Sequence, residues 1–305
     1  MRRGPILLAV LAACLWTGLA GAKTQASILG RSTVTALAAD GDDVAFSAAR
    51  TKADCDRAFI WQRLSGKLVQ LGKQQRCTVR ALPVQTIAVS GGRALWLTSD
   101  GARIVDWQLW TATTTRRTPR QLESATRDVR IDLRQPIVVG GAGGGLLPYA
   151  VDTSVTVLKA NGSPAFSWEA SAPVVALAAA AGRVAVAEVG GRVTVLDSKG
   201  SVASVDLYAS DVSAVFFASK GLLVQRGVTL ELRRGAAAHE FPITADAQLD
   251  DASGKWGVWS DGKHVHVIRL SDGVQKATFA GFRGALAGSR LYVANGRTIA
   301  IRTIR

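Results

Sequence analysis

Residues 174–207 read VVALAAAAGRVAVAEVGGRVTVLDSKGSVASVDL. Four short apolar runs stand there, at 174–179, 184–189, 193–197 and 201–207, separated by Ala181-Gly182, Gly190-Gly191 and Lys199-Gly200. Two-residue glycine turns between Val-rich runs are the strongest local signal for antiparallel hairpins. The competing reading is a helix over the Ala-rich residues 176–181. It loses because the run stops at Gly182 and because the neighbouring runs are β-branched at every second position. The stretch therefore reads as a sheet of four short strands.

The same pattern, an apolar run, a glycine turn and a second apolar run, recurs along the chain. It appears as VTALAADGDDVAF from Val34, TIAVSGGRALWL from Thr86, IVVGGAGGGLL from Ile137 and VSAVFFASKGLLV from Val212. LDDASGKWGVW from Leu249 and ALAGSRLYV from Ala285 complete the series. Repeats about 35 to 50 residues apart, each with several short strands, define a β-propeller. The expectation is an all-β fold: a seven-bladed β-propeller of four-stranded antiparallel sheets. The last unit has one strand too few before Arg305, and residues 26–29 are available to close the ring from the N-terminal side. Blades stack face to face, so inner strands read as continuous apolar runs, with Ala and Gly where space near the axis is tight. Trp61, Trp107, Trp110 and Trp168 fall on outer strands, as packing between blades.

The first 22 residues read differently. Arg2 and Arg3 precede an apolar stretch over residues 5–19, and Ala20-Gly21-Ala22 follows. This is the layout of an export signal cleaved after Ala22, leaving a single propeller domain over residues 23–305. The stretch is shorter than the roughly 20 residues of a membrane span. A minority reading takes Leu11-Ala-Ala-Cys14 as a lipobox with Cys14 lipidated. Either way the expected location is secreted or extracytoplasmic.

The whole chain carries a net charge of +14, with 48% hydrophobic and 20% charged residues. Without residues 1–22 it keeps 35 Lys and Arg against 23 Asp and Glu, a balance of +12. Such a balance suits an anionic partner, although an Arg-rich solvated surface produces the same number. After Cys14, two cysteines remain, Cys55 and Cys77. Cys55 falls between the second and third strands of blade one and Cys77 after the fourth, connections that emerge on one face. In an oxidising compartment the expectation is a disulfide, which would add on the order of 3 kcal/mol by the chain-entropy account.

Over nearly the whole of residues 23–305 the chain resembles the bacterial β-propeller repeat superfamily, the WD-repeat-like and quinoprotein-like group. The resemblance is architectural. No unit starts with the Gly-His of WD repeats, Trp-Asp occurs nowhere, and the repeated quinone-binding pattern is missing. It implies a fold and transfers no functional residue and no cofactor.

The candidate binding patch is basic: Arg50, Lys52 and Arg57 in one connection of blade one, with Lys73, Arg76 and Arg80 in the next. A second basic cluster, Arg116, Arg117 and Arg120, belongs to the opposite face. A third, over residues 127–134, alternates with Asp128 and Asp132 and compensates itself. His264 and His266 share one strand face at i, i+2, without a Cys or third His nearby, so no metal is expected. Asp246, Asp250 and Asp251 lack the alternating calcium-loop pattern. The glycines of residues 140–145 lack the Lys-Ser/Thr of a phosphate loop and read as a flexible hairpin in blade three. No Gly-x-Ser-x-Gly occurs, and five Glu offer no recognisable acid–base pair.

The functional expectation is an exported, non-catalytic propeller that binds a protein or an anionic envelope polymer through its loop-rich face. The alternative is a hydrolase or lyase with its active site at the mouth of the central channel. Nucleic acid is not an expected partner, because exposed aromatics do not interleave with the basic residues.

Overall fold

A computed structural model describes residues 27–29, 33–49, 56–72, 84–219, 221–235 and 237–305. Those residues form 28 strands arranged as seven four-stranded antiparallel sheets, and among them there is no helix. No helix of the described residues is long and apolar enough to cross a membrane.

The unit that begins at Val174 shows how sequence becomes blade. Its strands are β14 (Val174–Ala180), β15 (Arg183–Glu188), β16 (Arg192–Leu196) and β17 (Val202–Leu207), paired in chain order. β14 and β15 are buried along most of their length, while β17 is mostly exposed. Ala181 and Gly182 both take positive φ (48° and 74°), the geometry of the tight turn joining β14 to β15.

Each blade opens with an inner strand, and each blade packs on the next through its own apolar cluster. Seven such clusters exist, one for every junction, including one between blades seven and one. That last junction joins Val34, Phe46 and Trp61 to Tyr292, Ile299 and Ile301. Seven blades in an open arc would make six junctions, so the ring is closed. Each fully buried Val, Leu or Ile at a junction contributes about 1.5–3 kcal/mol of burial free energy. Trp61 and Trp107 are 5% and 6% exposed and pack into these junctions, as do the half-buried Trp110 and Trp168.

Closure uses the N-terminal strand. β1 (Ser27–Leu29) pairs antiparallel with β28 (Thr298–Thr303), the third strand of blade seven, as Ser27 with Ala300 and Leu29 with Thr298. The blade is thereby completed from the other end of the chain, and its open edge is covered.

One expectation changes. The glycines of residues 140–145 are pinned, not loose. Gly141 N–H donates to Leu177 O at 3.0 Å, and Ala179 N–H donates to Gly141 O at 2.7 Å. A Cβ on Gly140 would lie 2.4 Å from Leu177 Cβ, so only glycine lets blade three approach blade four this closely.

Candidate functional site

Antiparallel order within each blade sorts the connections onto two faces. The turns joining first to second and third to fourth strands lie on one, the hairpin face. The connections joining second to third strands and one blade to the next lie on the other, the loop face. A channel of about 890 Å³ runs between them, and residues of all seven inner strands line it. Its middle is built from small apolar side chains such as Ala36, Ala38, Val139, Ala178 and Val215. Polar groups gather towards its mouths.

Two acids stand on β22 (Gln248–Ser253), the inner strand of blade six. Asp250 accepts from Arg283 Nη1 at 3.0 Å and from Gly284 N–H at 2.9 Å. Asp251 accepts from Leu286 N–H at 2.8 Å and from Ala252 N–H at 2.7 Å. Arg283, Gly284 and Leu286 all belong to β26 (Arg283–Ala287), so both acids stitch blade six to blade seven. Burial pushes Asp250 up to about 6 and Asp251 up to about 7, against the donors that pull them down. Their oxygens are committed to donors of blades six and seven, and Asp246 stands apart from them, exposed.

The loop face carries a braced projection over residues 128–135. Arg127 binds Asp132 at 2.7 Å, Asp152 at 2.6 Å and the Arg134 carbonyl at 3.2 Å. Arg134 returns to Asp132 through Nε at 3.0 Å and Nη2 at 2.8 Å, and Arg103 holds Asp128 at 2.9 Å. The fork to Arg134 holds the Asp132 carboxyl down at about 2. This scaffold displays Ile131 and Leu133, which are 86% and 88% exposed. Arg127, Arg134 and Gln135 also line the channel, so the projection stands at its rim.

On the same face, the turn from β23 (Trp256–Ser260) to β24 (His264–Arg269) gathers Asp261, His264 and His266, whose ligand atoms all lie within 4.8 Å of one another. The sequence reading paired the histidines but passed over Asp261, three residues before His264 across the turn. The Asp-x-x-His-x-His spacing was its only sequence signal.

The hairpin face is unlike the loop face. Its acids are all engaged. Asp42 pairs with Arg63 and Arg290, and Asp272 with Arg269. Asp43 accepts from Gly92 N–H, Asp40 from Ser90 Oγ at 2.5 Å, and Asp197 from its own turn. Many cations there have no such partner. Arg116, Arg117, Arg120, Lys159, Arg234 and Lys255 are exposed, and no described carboxylate forms an ion pair with them. Burial depresses the Arg93 guanidinium, and the like charges of Arg120 and Arg116 depress it further.

Arg116, Arg117 and Arg120 lie on the hairpin face, and the 127–134 cluster is internally paired. Of the candidate patch, Arg57 lies in β4 (Asp56–Gln62) and is 6% exposed. Arg50, Lys52, Lys73, Arg76, Arg80, Cys55 and Cys77 lie outside the described residues.

No protein-family model and no curated protein sequence matches the chain. Solved structures are similar in fold. A computationally designed protein, Ika8, superposes with a TM-score of 0.51 at 14% identity, over 90% of this chain and 98% of that one. Chaetomium thermophilum Raptor gives 0.59 at 13% identity, over 92% of this chain and 29% of that one. A chain of the mitotic checkpoint complex gives 0.58 at 12% identity, over 98% of this chain and all of that one. Identities this low speak for the shared propeller architecture and for nothing finer.

Proposed function

We propose that this protein is an exported, non-catalytic binding module whose loop face receives a protein partner. The observation that carries the reading is the braced projection with Ile131 and Leu133 at its tip. Ile131 and Leu133 are the most exposed large apolar side chains among the described residues, and they stand two positions apart on one loop. An ion-pair scaffold that holds them in place removes much of the ordering cost of binding. Held in place beforehand, the two side chains can bury their apolar surface in a partner without first being ordered.

The channel mouth favours the same reading over a hydrolase or lyase. Its two acids with raised pKa are tied to Arg283 and to backbone N–H groups of the next blade, and the wall between the mouths is Ala-, Gly- and Val-rich. Export rests on the basic, apolar and small-residue order of residues 1–22. A partner in the envelope would meet the protein there.

The test is affinity capture from an envelope extract with the wild-type protein and with Ile131→Glu/Leu133→Glu. A protein retained by the first and lost by the second, at unchanged melting temperature, supports the reading. Equal retention by both removes the projection from the interface.

A second reading has its own observation. The unpaired cations of the hairpin face suit an anionic envelope polymer, and a salt-steep association would mark that contact. The two readings are compatible, because the surfaces are opposite.

A further inference from the structure

We propose that Asp261, His264 and His266 form a surface site for one zinc-class divalent cation, with a fourth coordination position open to water or to a donor from a bound partner. The three donors come from one turn and the first half of one strand, so a single local segment builds the site. Asp261 Oδ2 lies 3.2 Å from His266 Nε2 and 3.5 Å from His264 Nδ1. Ligands about 2.0–2.1 Å from a tetrahedral zinc stand roughly 3.4 Å from each other, so both edges already have the span the ion requires. The third edge, between the histidines, also lies within 4.8 Å, and His264 is half exposed and free to close it.

The ligands are held from behind. Asp261 Oδ1 accepts from Lys263 N–H at 2.9 Å and from His264 N–H at 2.6 Å, which turns Oδ2 towards the imidazoles. His266 stacks on Trp259 with ring centroids 3.8 Å apart and planes 13° apart. Its other nitrogen, Nδ1, lies 3.3 Å from Thr278 Oγ1. A ligand histidine whose far nitrogen is fixed by a hydrogen bond is the usual supporting arrangement of metal sites. Trp259, His266 and Thr278 are cross-strand neighbours on three adjacent strands, so the sheet register itself orients the ring.

Donor chemistry selects the ion. Two imidazoles and one carboxylate suit zinc, nickel or copper, whereas calcium and magnesium call for oxygen donors throughout. Each histidine ligates as a neutral imidazole through the nitrogen that faces Asp261 Oδ2 and carries its proton on the other nitrogen, with no change in oxidation state. The site lies on the loop face, so a metal there would stiffen the turn of blade six on the side that meets a partner.

The test uses the whole protein after treatment with a chelator and titration with zinc chloride at neutral pH, followed by calorimetry. One equivalent should bind. Cobalt chloride should give the visible absorption of a tetrahedral cobalt ion at the same stoichiometry. His264→Ala and Asp261→Asn should each lower zinc affinity at least tenfold. Thr278→Val should lower it about tenfold through the orientation of His266. His239→Ala, which changes the chain's remaining histidine, should leave binding unchanged. Circular dichroism and thermal melting of His264→Ala, at a half-exposed position, control for folding. Absence of saturable binding overturns the site. So does binding that survives both His264→Ala and Asp261→Asn, and binding lost on alkylation of Cys55 and Cys77 would place the ion elsewhere.

Discussion

The two faces of this ring are made by the same seven blades, yet they use charge in opposite ways. Among the described residues of the loop face, acids and bases pair to hold shape: Arg127, Asp132, Arg134 and Asp152 brace a projection, and Asp250 with Arg283 ties two blades. On the hairpin face, five acids are absorbed locally and a surplus of arginine and lysine is left to solvent. Among the described residues, exposed cations without a carboxylate partner gather mainly on the hairpin face; much of the net charge of +14 belongs to segments outside them. Charge that is paired stabilises shape; charge that is unpaired is available to a partner.

The loop-face acids offer the hardest way to break this contrast. Asp250→Ala should cost about 2–4 kcal/mol in urea unfolding, because it leaves the Gly284 N–H without its acceptor in the junction and removes the ion-pair partner of Arg283. A loss below 1 kcal/mol would mean that Asp250 is not structural and is free for chemistry.

The pH dependence has a sign of its own. Asp250 and Asp251 have folded pKa values of about 6 and about 7, above the 3.8 of an unstrained side chain. The native state keeps their protons where the unfolded state has lost them. Their contribution is complete below about pH 4 and fades as pH rises through 6 and 7. Thermal melting between pH 8 and pH 5 should thus move upward on acidification, by on the order of a few kcal/mol in stability. Asp251→Asn should flatten the trend. A melting temperature that falls steadily from pH 8 to pH 5 in the wild type would contradict the assignment.

Arg127→Ala probes the brace. The side chain is 18% exposed and serves two carboxylates, so stability should fall by about 1 kcal/mol. Ile131→Glu with Leu133→Glu should change stability by less than about 0.5 kcal/mol, since neither side chain is packed. Chemical denaturation separates these effects from any loss of partner.

Much of the ring was legible in the sequence because its signal is periodic. Residues 174–207 contain all three turns of blade four, and the observed strands depart from the runs read there by a residue or so. The N-terminal closure also followed from counting, since blade seven lacked a strand that only residues 26–29 could supply. The glycines of 140–145 do form the hairpin of blade three, but they read as flexible because their reason lies in another blade: Leu177 and Ala179 occupy the space a side chain would need. The surface was less legible. Pairing of Arg127 with Asp152 crosses 25 residues, and nothing in the spacing announces it. Arg57 read as a loop cation because the strand holding it starts at Asp56, just past the end of the apparent connection.

The contrast between faces is tested most directly by binding to an immobilised anionic polymer over a salt gradient. Two reversal mutants should be compared with the wild type: Arg116→Glu/Arg117→Glu/Lys159→Glu/Lys255→Glu on the hairpin face, and Arg103→Glu/Arg130→Glu/Lys263→Glu/Arg297→Glu on the loop face. The first should elute at far lower salt than the wild type and the second close to it. Equal shifts in the two would show that charge is spread over the whole molecule and that the faces do not divide the work.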